Sequence, residues 1–549
     1  MSQGDDHRPL TRRRFLTVSG ATAAAALAWQ PLAGCASDDA ASGPTPTADP
    51  AAEAAAASLT ADPFTLGVGS GDPLADRVVL WTRLAPEPAF GPGSGGLPDA
   101  DVAVSWELAT DAGFTNVVAT GTALAPAALA HSVHVDAGAG PEGPLDADTW
   151  FHYRFTAGNY TSPVGRTRTA PRSDADVAAM RFAFASCQNY GSGYYTAHAA
   201  IANETDLDLV VFLGDYIYEG GGSGRVRDVP GGEAEDLAGY RDRYALYRSD
   251  PNLQAAHAAC PWVVVWDDHE VENNYAADID QDGQGGDAFL TRRQGAYLAW
   301  WEHQAVRMPA PVGPDLEVYR SLPWGELATF WLLDGRQYRS PQACGGSAAL
   351  GSLPLNEQCP EMLEGDRTML GATQEAWLEG GLRSSQSTWN VVAQQTVFTA
   401  TPVRLLGDDE LVNNDQWDGY PAARQRLIDV FAEPGVSNPL VVTGDIHASG
   451  AGKVLTDFSD PNSGVVAHEL VGTSISSSFP EGLATLFNTV AGQLPWVEYV
   501  NAIQRGYVTV ELTPREATAQ WQVVDTVDEP VSAVSTDFTW TIPATTETS

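Results

Sequence analysis

The sequence predicts two folded parts in series, an all-β sandwich over residues 63–172 and an α/β domain over residues 178–545. Three observations carry that prediction. Short segments rich in Val, Thr and aromatic residues, separated by Asp, Gly and Pro, fill the first stretch. After Ala170-Pro171 the pattern changes to apolar strands alternating with helical stretches. Four of those later strands end in side chains able to hold a metal.

At 549 residues the chain is long enough for two domains, and 44% hydrophobic against 18% charged residues is a globular composition. In the first part, Val78–Thr82, Val102–Leu108, Val117–Thr122, His131–Val135 and Trp150–Ala157 read as strands, a spacing that suggests a sandwich of immunoglobulin or fibronectin type. His131, His134 and His152 have no metal-ligand spacing and read as strand-surface or core residues. In the second part the strands are Met180–Ser186, Leu209–Gly214, Trp262–Trp266, Leu327–Leu333, Thr388–Ala393 and Pro439–Gly444. Helices are expected over Leu237–Arg248, Gly286–His303 and Ala422–Phe431. In α/β domains ligands bind beyond the carboxyl ends of strands.

The N-terminus reads as an address. Thr11-Arg12-Arg13-Arg14-Phe15-Leu16 precedes a short apolar run, the pattern of a twin-arginine export signal. Leu32-Ala33-Gly34-Cys35 resembles a bacterial lipobox, in which Cys35 would carry the lipid anchor; an ordinary cleavage site is the alternative. The expectation is a signal over residues 1–35, a flexible linker over 36–62 and a protein exported and anchored to a membrane, periplasmic or at the cell surface. Cys344 and Cys359 flank a Gly/Ser-rich loop and are candidates to pair in an oxidising compartment, whereas Cys260 reads as a small buried hydrophobe.

Thirty Lys+Arg against seventy Asp+Glu give a formal net charge of −40. Such a surface repels nucleic acid, so no nucleic-acid partner is expected. It does not repel divalent cations.

The four strand tips carry the chemistry. Phe182–Ser186 runs into Cys187. Val210–Gly214 runs into Asp215, with Tyr218 three residues on. Val263–Trp266 runs into Asp267-Asp268-His269-Glu270. Val441–Gly444 runs into Asp445-Ile446-His447. One Asp after a strand is commonly a helix cap. Four tips bearing Cys, Tyr, His and Asp together point to a metal centre.

These motifs, with Ser186-Cys187-Gln188, Gly214–Glu219, Trp266–Asn273, Asp334–Arg339, Trp417–Pro421 and Gly444–His447, resemble the calcineurin-like metallophosphoesterase superfamily. They are most similar to its alkaline phosphatase D (PhoD-type) branch, which includes some phospholipase D-like enzymes. The resemblance implies an αββα sandwich and two adjacent metals bridged by Asp215. The first would take Cys187, Tyr218 and His447 as Fe³⁺; the second would take Asp215, Asp268 and Asp445, an all-oxygen set suited to Ca²⁺. Where the superfamily has a further metal histidine, Gln394-Gln395-Thr396 stands here. Paired cations would polarise a phosphoryl group and activate water for in-line attack.

His269 is the candidate for leaving-group protonation or transition-state stabilisation, or else a histidine hydrogen-bonded behind the metals. Arg336 and Arg339 are candidates to clamp phosphate oxygens, or else ion-pair partners of Asp334 or Asp267. Asp267 and Asn273 are candidate supports of the ligands or ligands of a further Ca²⁺. His198, His257, His303 and His468 read as structural, and Trp300-Trp301 as core. The acidic run Asp278–Asp282 reads as a solvated loop. Gly220-Gly221-Gly222 reads as a hinge over substrate or a plain linker.

The function implied is hydrolysis of phosphate monoesters or diesters outside the cytoplasm, for phosphate scavenging, on small-molecule esters or phospholipid. A phospholipase D-type phosphodiesterase and a non-catalytic surface-binding lipoprotein are the competing expectations.

Overall fold

The computed structural model describes residues 49–87, 95–344, 349–350, 353–357, 359–402, 411–480 and 482–545. The twin-arginine run and Cys35 lie outside the described residues.

Four layers surround the site. Parallel strands buried on both faces need apolar side chains, and Met180–Ala185 (Arg181 near its start excepted), Leu209–Phe212 and Trp262–Val264 supply them. These three pair in parallel at the centre of a sheet of nine strands among the described residues. On one side the sheet continues through the antiparallel strands Arg505–Leu512, Glu516–Val524 and Val534–Pro543. A second sheet of seven strands is built around Ala328–Leu332, Trp389–Ala393, Pro439–Thr443 and Val465–Val471.

The two sheets meet in one apolar layer, in which Phe182, Val211 and Val263 face Phe330, Val391 and Val442. Phe182 meets Phe330 edge-on at a centroid distance of 5.1 Å. Helices Thr196–Asn203, Leu237–Arg248, Pro251–Ala259 and Asp287–His303 cover the outside of the nine-stranded sheet. Gly371–Ser384 and Pro421–Phe431 cover the seven-stranded one. This is the αββα sandwich expected. The helix starts follow from local chemistry. Asp236 accepts the Gly239 N–H at 2.8 Å, and Asp250 accepts the Asn252 N–H at 2.9 Å ahead of Pro251.

The N-terminal all-β region differs from an isolated sandwich. Val102–Ala109, Val117–Ala125 and Trp150–Ala157 form one sheet with two short strands, Tyr160–Thr161 and Gly165–Arg168. The facing strands Val68–Gly71, Val78–Arg83 and Ser132–Ala137 belong to the nine-stranded sheet, joined to it through the parallel pair Gly71–Trp262. Val78, Leu80 and Val133 pack on Val104, Trp106 and Tyr153 in a core of their own. The sandwich therefore shares a sheet with the second domain. Residue-level alternation sets which face is buried but not which strand lies alongside.

The segment expected as linker also contains structure. Pro50–Ala57 is a helix with Pro at its first position, capped by the Asp49 carboxylate, and it buries Ala52 and Ala56. Small side chains suffice to pack there, so the absence of large apolar residues did not mean the absence of order.

Cys344 and Cys359 form a disulfide, and Cys260 is buried in the core under the helices. Trp300 is fully buried against Trp266, and Trp301 stacks on His134 with ring centroids 4.0 Å apart, so both tryptophans are core. No described helix is long and apolar enough to cross a membrane.

Candidate metal centre

The parallel strands end together, so their tips are neighbours. Gly214 precedes Asp215 at φ +103°, and a Cβ there would stand 2.4 Å from the Asp267 backbone nitrogen. Gly444 precedes Asp445, and a Cβ there would stand 2.2 Å from Ser186 Oγ. Only glycine lets these turns approach so closely. Glu270 fastens them from below, its carboxylate accepting the backbone N–H groups of Asp215, Tyr216 and Asp267 at 2.6–2.9 Å. Cys187, Asp215, Asp445 and His447 all sit at φ between 55° and 63°. That region is costly for residues with a Cβ, and four such residues at one place mark a site where geometry has been put before local comfort.

The side chains converge. Tyr218 Oη donates to Asp215 Oδ2 at 2.8 Å and lies 3.0 Å from His447 Nε2. Ligand atoms of Cys187, Asp215 and His447 lie within 4.8 Å of one another, as do those of Asp215, Asp268 and His269, and those of Asp267, Asp268 and Asp445. Asp215 belongs to two of these groups. Asp215, Tyr218, Asp268, His269, Asn273, Asp445 and His447 line a single cavity of about 470 Å³. Cys187 lies beneath it, buried, with its thiol 3.1 Å from Ser186 Oγ.

Two arginines are placed otherwise than as clamps. Arg336 is fully buried and outside the cavity lining. Its guanidinium is bonded to Asp267 and Asp415, with Asp445 at 3.4 Å and Asp268 at 3.7 Å. Arg339 is equally buried and is paired with the Asp415 carboxylate. The Arg336 donors are taken up by carboxylates and Arg339 is bonded to Asp415, so neither guanidinium lines the cavity. Asp267 is spent on Arg336 behind the strand tips. Asn273 lines the cavity, while its backbone N–H donates to Glu219 at 2.9 Å.

Several participants were not singled out by sequence. Glu219 pairs with His269 Nδ1 at 2.7 Å. Asp415 neutralises both arginines, and Gln416 donates to Asp445 Oδ2 at 2.5 Å. Ser477 Oγ donates to Tyr218 Oη at 2.8 Å. The one available signal was the polar run Asn413–Gln416, just ahead of a motif that was read without it. Gln394 and Gln395 are buried and bond Trp417 and the backbone at 333–335, so they hold loops and leave the metal side of the site to others.

The electrostatics test whether these residues suit cations. Burial pushes Asp445 up to about 7, with Arg336 opposing and Asp268 and Asp415 adding to the rise. Burial raises Asp215 well above the ordinary carboxylate range; His269 opposes this, while Asp268 and Asp267 reinforce it. Burial, then Asp215, raises the Cys187 thiol and the Tyr218 phenol well above their usual values. Burial pulls His447 down to about 4, keeping its imidazole neutral. Asp215 Oδ1 is buried without a hydrogen-bond partner. Crowded anionic donors, a neutral imidazole and an orphaned carboxylate oxygen are what a positive ion would satisfy, and the donor set fits metal.

His269 differs from its neighbours. Burial works against its charge, but Glu219, Asp268 and Asp215 outweigh that and hold its pKa well above the usual value. Its ring lies 4.1 Å from that of Tyr218.

Known proteins resemble this chain over most of its length. Residues 182–521 match the PhoD-like phosphatase model, and residues 50–171 match the model of the PhoD-like phosphatase N-terminal domain. Alkaline phosphatase D of Bacillus subtilis (strain 168) is 45% identical over 498 residues, covering 88% of this chain and 81% of that protein. A solved structure of PhoD superposes with a TM-score of 0.82 at 44% identity, covering 88% of this chain and 91% of the other. The matches span both the sandwich and the metal-bearing sheets, and on that basis the chain belongs to the PhoD-like phosphatase family.

Proposed function

We propose that the chain is a metal-dependent hydrolase of phosphate monoesters and diesters, working outside the cytoplasm to release phosphate. The observation that carries this reading is the sharing of Asp215 between two donor groups on the floor of one cavity. Family membership and the 45% identity to an alkaline phosphatase D support it. Export and membrane anchoring rest on the sequence of residues 1–35 alone.

Cys187, Tyr218, His447 and Asp215 would hold Fe³⁺, since phenolate favours a trivalent ion. Asp215, Asp268 and Asp445 would hold Ca²⁺ through oxygen. When bound, such a pair supplies Lewis acidity toward phosphoryl oxygens and an activated water. The chain's own residues do the rest. Arg336 offsets the repulsion between Asp268 and Asp445 and so lets the two carboxylates stand close together. Ser477 and Asp215 fix the Tyr218 phenol. Glu219 holds Nδ1 of His269, leaving Nε2 as the nitrogen free to give a proton to the departing alkoxide.

The test is phosphate release by the purified protein and by Asp215→Asn. The wild type is expected to hydrolyse p-nitrophenyl phosphate and bis(p-nitrophenyl) phosphate and to lose activity on chelation. A folded Asp215→Asn protein with full activity refutes the proposal.

A further inference from the structure

A second recess opens beside the metal cavity. It measures about 330 Å³ and is bounded by the glycine-rich loop 220–224, Arg225 and Gln281. Asn189, Ser192, Tyr218 and His269 line both spaces, so His269 stands on the wall between them. The backbone of Gly220-Gly221-Gly222 forms one wall of the recess.

We propose that this recess is the subsite for the leaving alcohol, and that it takes an uncharged, hydrogen-bonding group of appreciable size. The inference rests on the hydrolase reading and on His269 as proton donor. In the reaction, water adds its oxygen to phosphorus and the bond from phosphorus to the ester oxygen breaks. The electron pair stays on that oxygen, which takes the proton from His269, while the attacking water sheds one proton to solvent and solvent returns one to His269. The ester oxygen must therefore lie beside His269, and whatever is attached to it continues past the imidazole into the recess.

The chemistry of the lining selects the class of group. Each charged wall residue already has a partner. Arg225 pairs with Asp528 at 2.6 Å, Glu233 with Arg292 at 2.7 Å and Glu219 with His269 at 2.7 Å. What remains is amide, hydroxyl and glycine backbone, with Val229 and the Tyr218 ring as the apolar lining. A charged arm finds no unpaired counter-ion there, and an alkyl chain would leave the amide, hydroxyl and backbone groups of the lining without partners.

Gly220 offers a direct test. No atom stands within 4 Å of a Cβ built there, and its φ lies outside the left-handed region, so a side chain is accommodated without backbone strain. Gly220→Trp should fill the recess. Release of phosphate is measured from methyl phosphate, whose leaving group is small, and from adenosine 5′-phosphate, whose leaving group is large and uncharged. The expected result is that the ratio of kcat/KM for the small ester to that for the large one rises more than tenfold over wild type, mainly through KM for the large ester. An unchanged ratio overturns the subsite while leaving the hydrolase reading in place. Failure of the wild type on the adenosine ester overturns the subsite, and failure on both monoesters and on bis(p-nitrophenyl) phosphate overturns the hydrolase reading as well. Should Gly220→Trp not fold, Gly220→Leu carries the same ratio.

Discussion

The phenol oxygen of Tyr218 lies 3.0 Å from Nε2 of His447, although 229 residues separate them in the chain. The contact exists because two different sheets deliver their strand ends to one place. Leu209–Phe212 leads to Tyr218 from the nine-stranded sheet, and Pro439–Thr443 leads to His447 from the seven-stranded one.

Removing the phenol oxygen isolates its role. Tyr218→Phe keeps the ring against His269 and deletes the donor atom shared with Asp215 and His447. The variant is expected to fold, to purify with less iron and without visible absorbance from a phenolate–Fe³⁺ bond, and to lose activity by more than the roughly 10–100-fold typical of changes outside the ligand set. Elemental analysis, an absorbance spectrum and steady-state rates check this. An active, iron-replete, coloured Tyr218→Phe protein removes the assignment.

Glu219 acts through His269. Glu219→Gln retains a polar group near Nδ1 but removes the charge that holds the imidazole protonated against burial. A fall in kcat of roughly 10–100-fold with little change in KM is expected. The loss should shrink for esters whose leaving group needs no proton, such as p-nitrophenyl phosphate, relative to alkyl phosphates. A purely structural role would lower both substrates equally.

Arg336 is the keystone of the buried charges. Arg336→Met leaves Asp267 and Asp415 without their shared cation at full burial. Breaking a buried pair from one side costs about 3–5 kcal/mol. Urea unfolding followed by tryptophan fluorescence should show a lower midpoint with an unchanged slope. An unaltered midpoint contradicts the role given to this guanidinium.

Acid stability follows from a buried histidine away from the cavity. His198 is fully buried, its Nε2 bonded to Gln188 Oε1 at 2.6 Å and its Nδ1 without a partner. Burial lowers its pKa from 6.5 to about 3. The folded-state value lies below the unfolded one, so the contribution is fully present above pH ~6.5 and is lost as pH falls toward 3, to at most on the order of 5 kcal/mol. Melting temperature should decline over that window, and the decline should be shallower in His198→Gln. A melting temperature independent of pH from 6.5 to 4 contradicts this.

The alternation of strands and helices was legible because buried strands and amphipathic helices have different periods, whereas the αββα layering was implied by the family resemblance. The strand Trp150–Ala157 and the helix Leu237–Arg248 occur at the residues expected. The sharing of a sheet by the two β regions was not legible, since the pairing of Gly71 with Trp262 depends on contacts far apart in sequence. Within the site, Cys187, Asp215, Tyr218, Asp268, Asp445 and His447 announced themselves by residue type at strand tips. The supporting groups did not. Glu219, Asp415, Gln416 and Ser477 are ordinary polar residues whose importance lies in what they touch.

By itself the sequence determined the inventory: which strands are buried, which tips carry metal-capable atoms, and how strongly acidic the chain is. The tertiary structure decided how those atoms are used. It sent Arg336 and Arg339 behind the carboxylates instead of into the cavity, and it set His269 on the wall between two recesses. The physical reason is that side-chain chemistry is local, while desolvation and charge pairing depend on neighbours that only folding brings together.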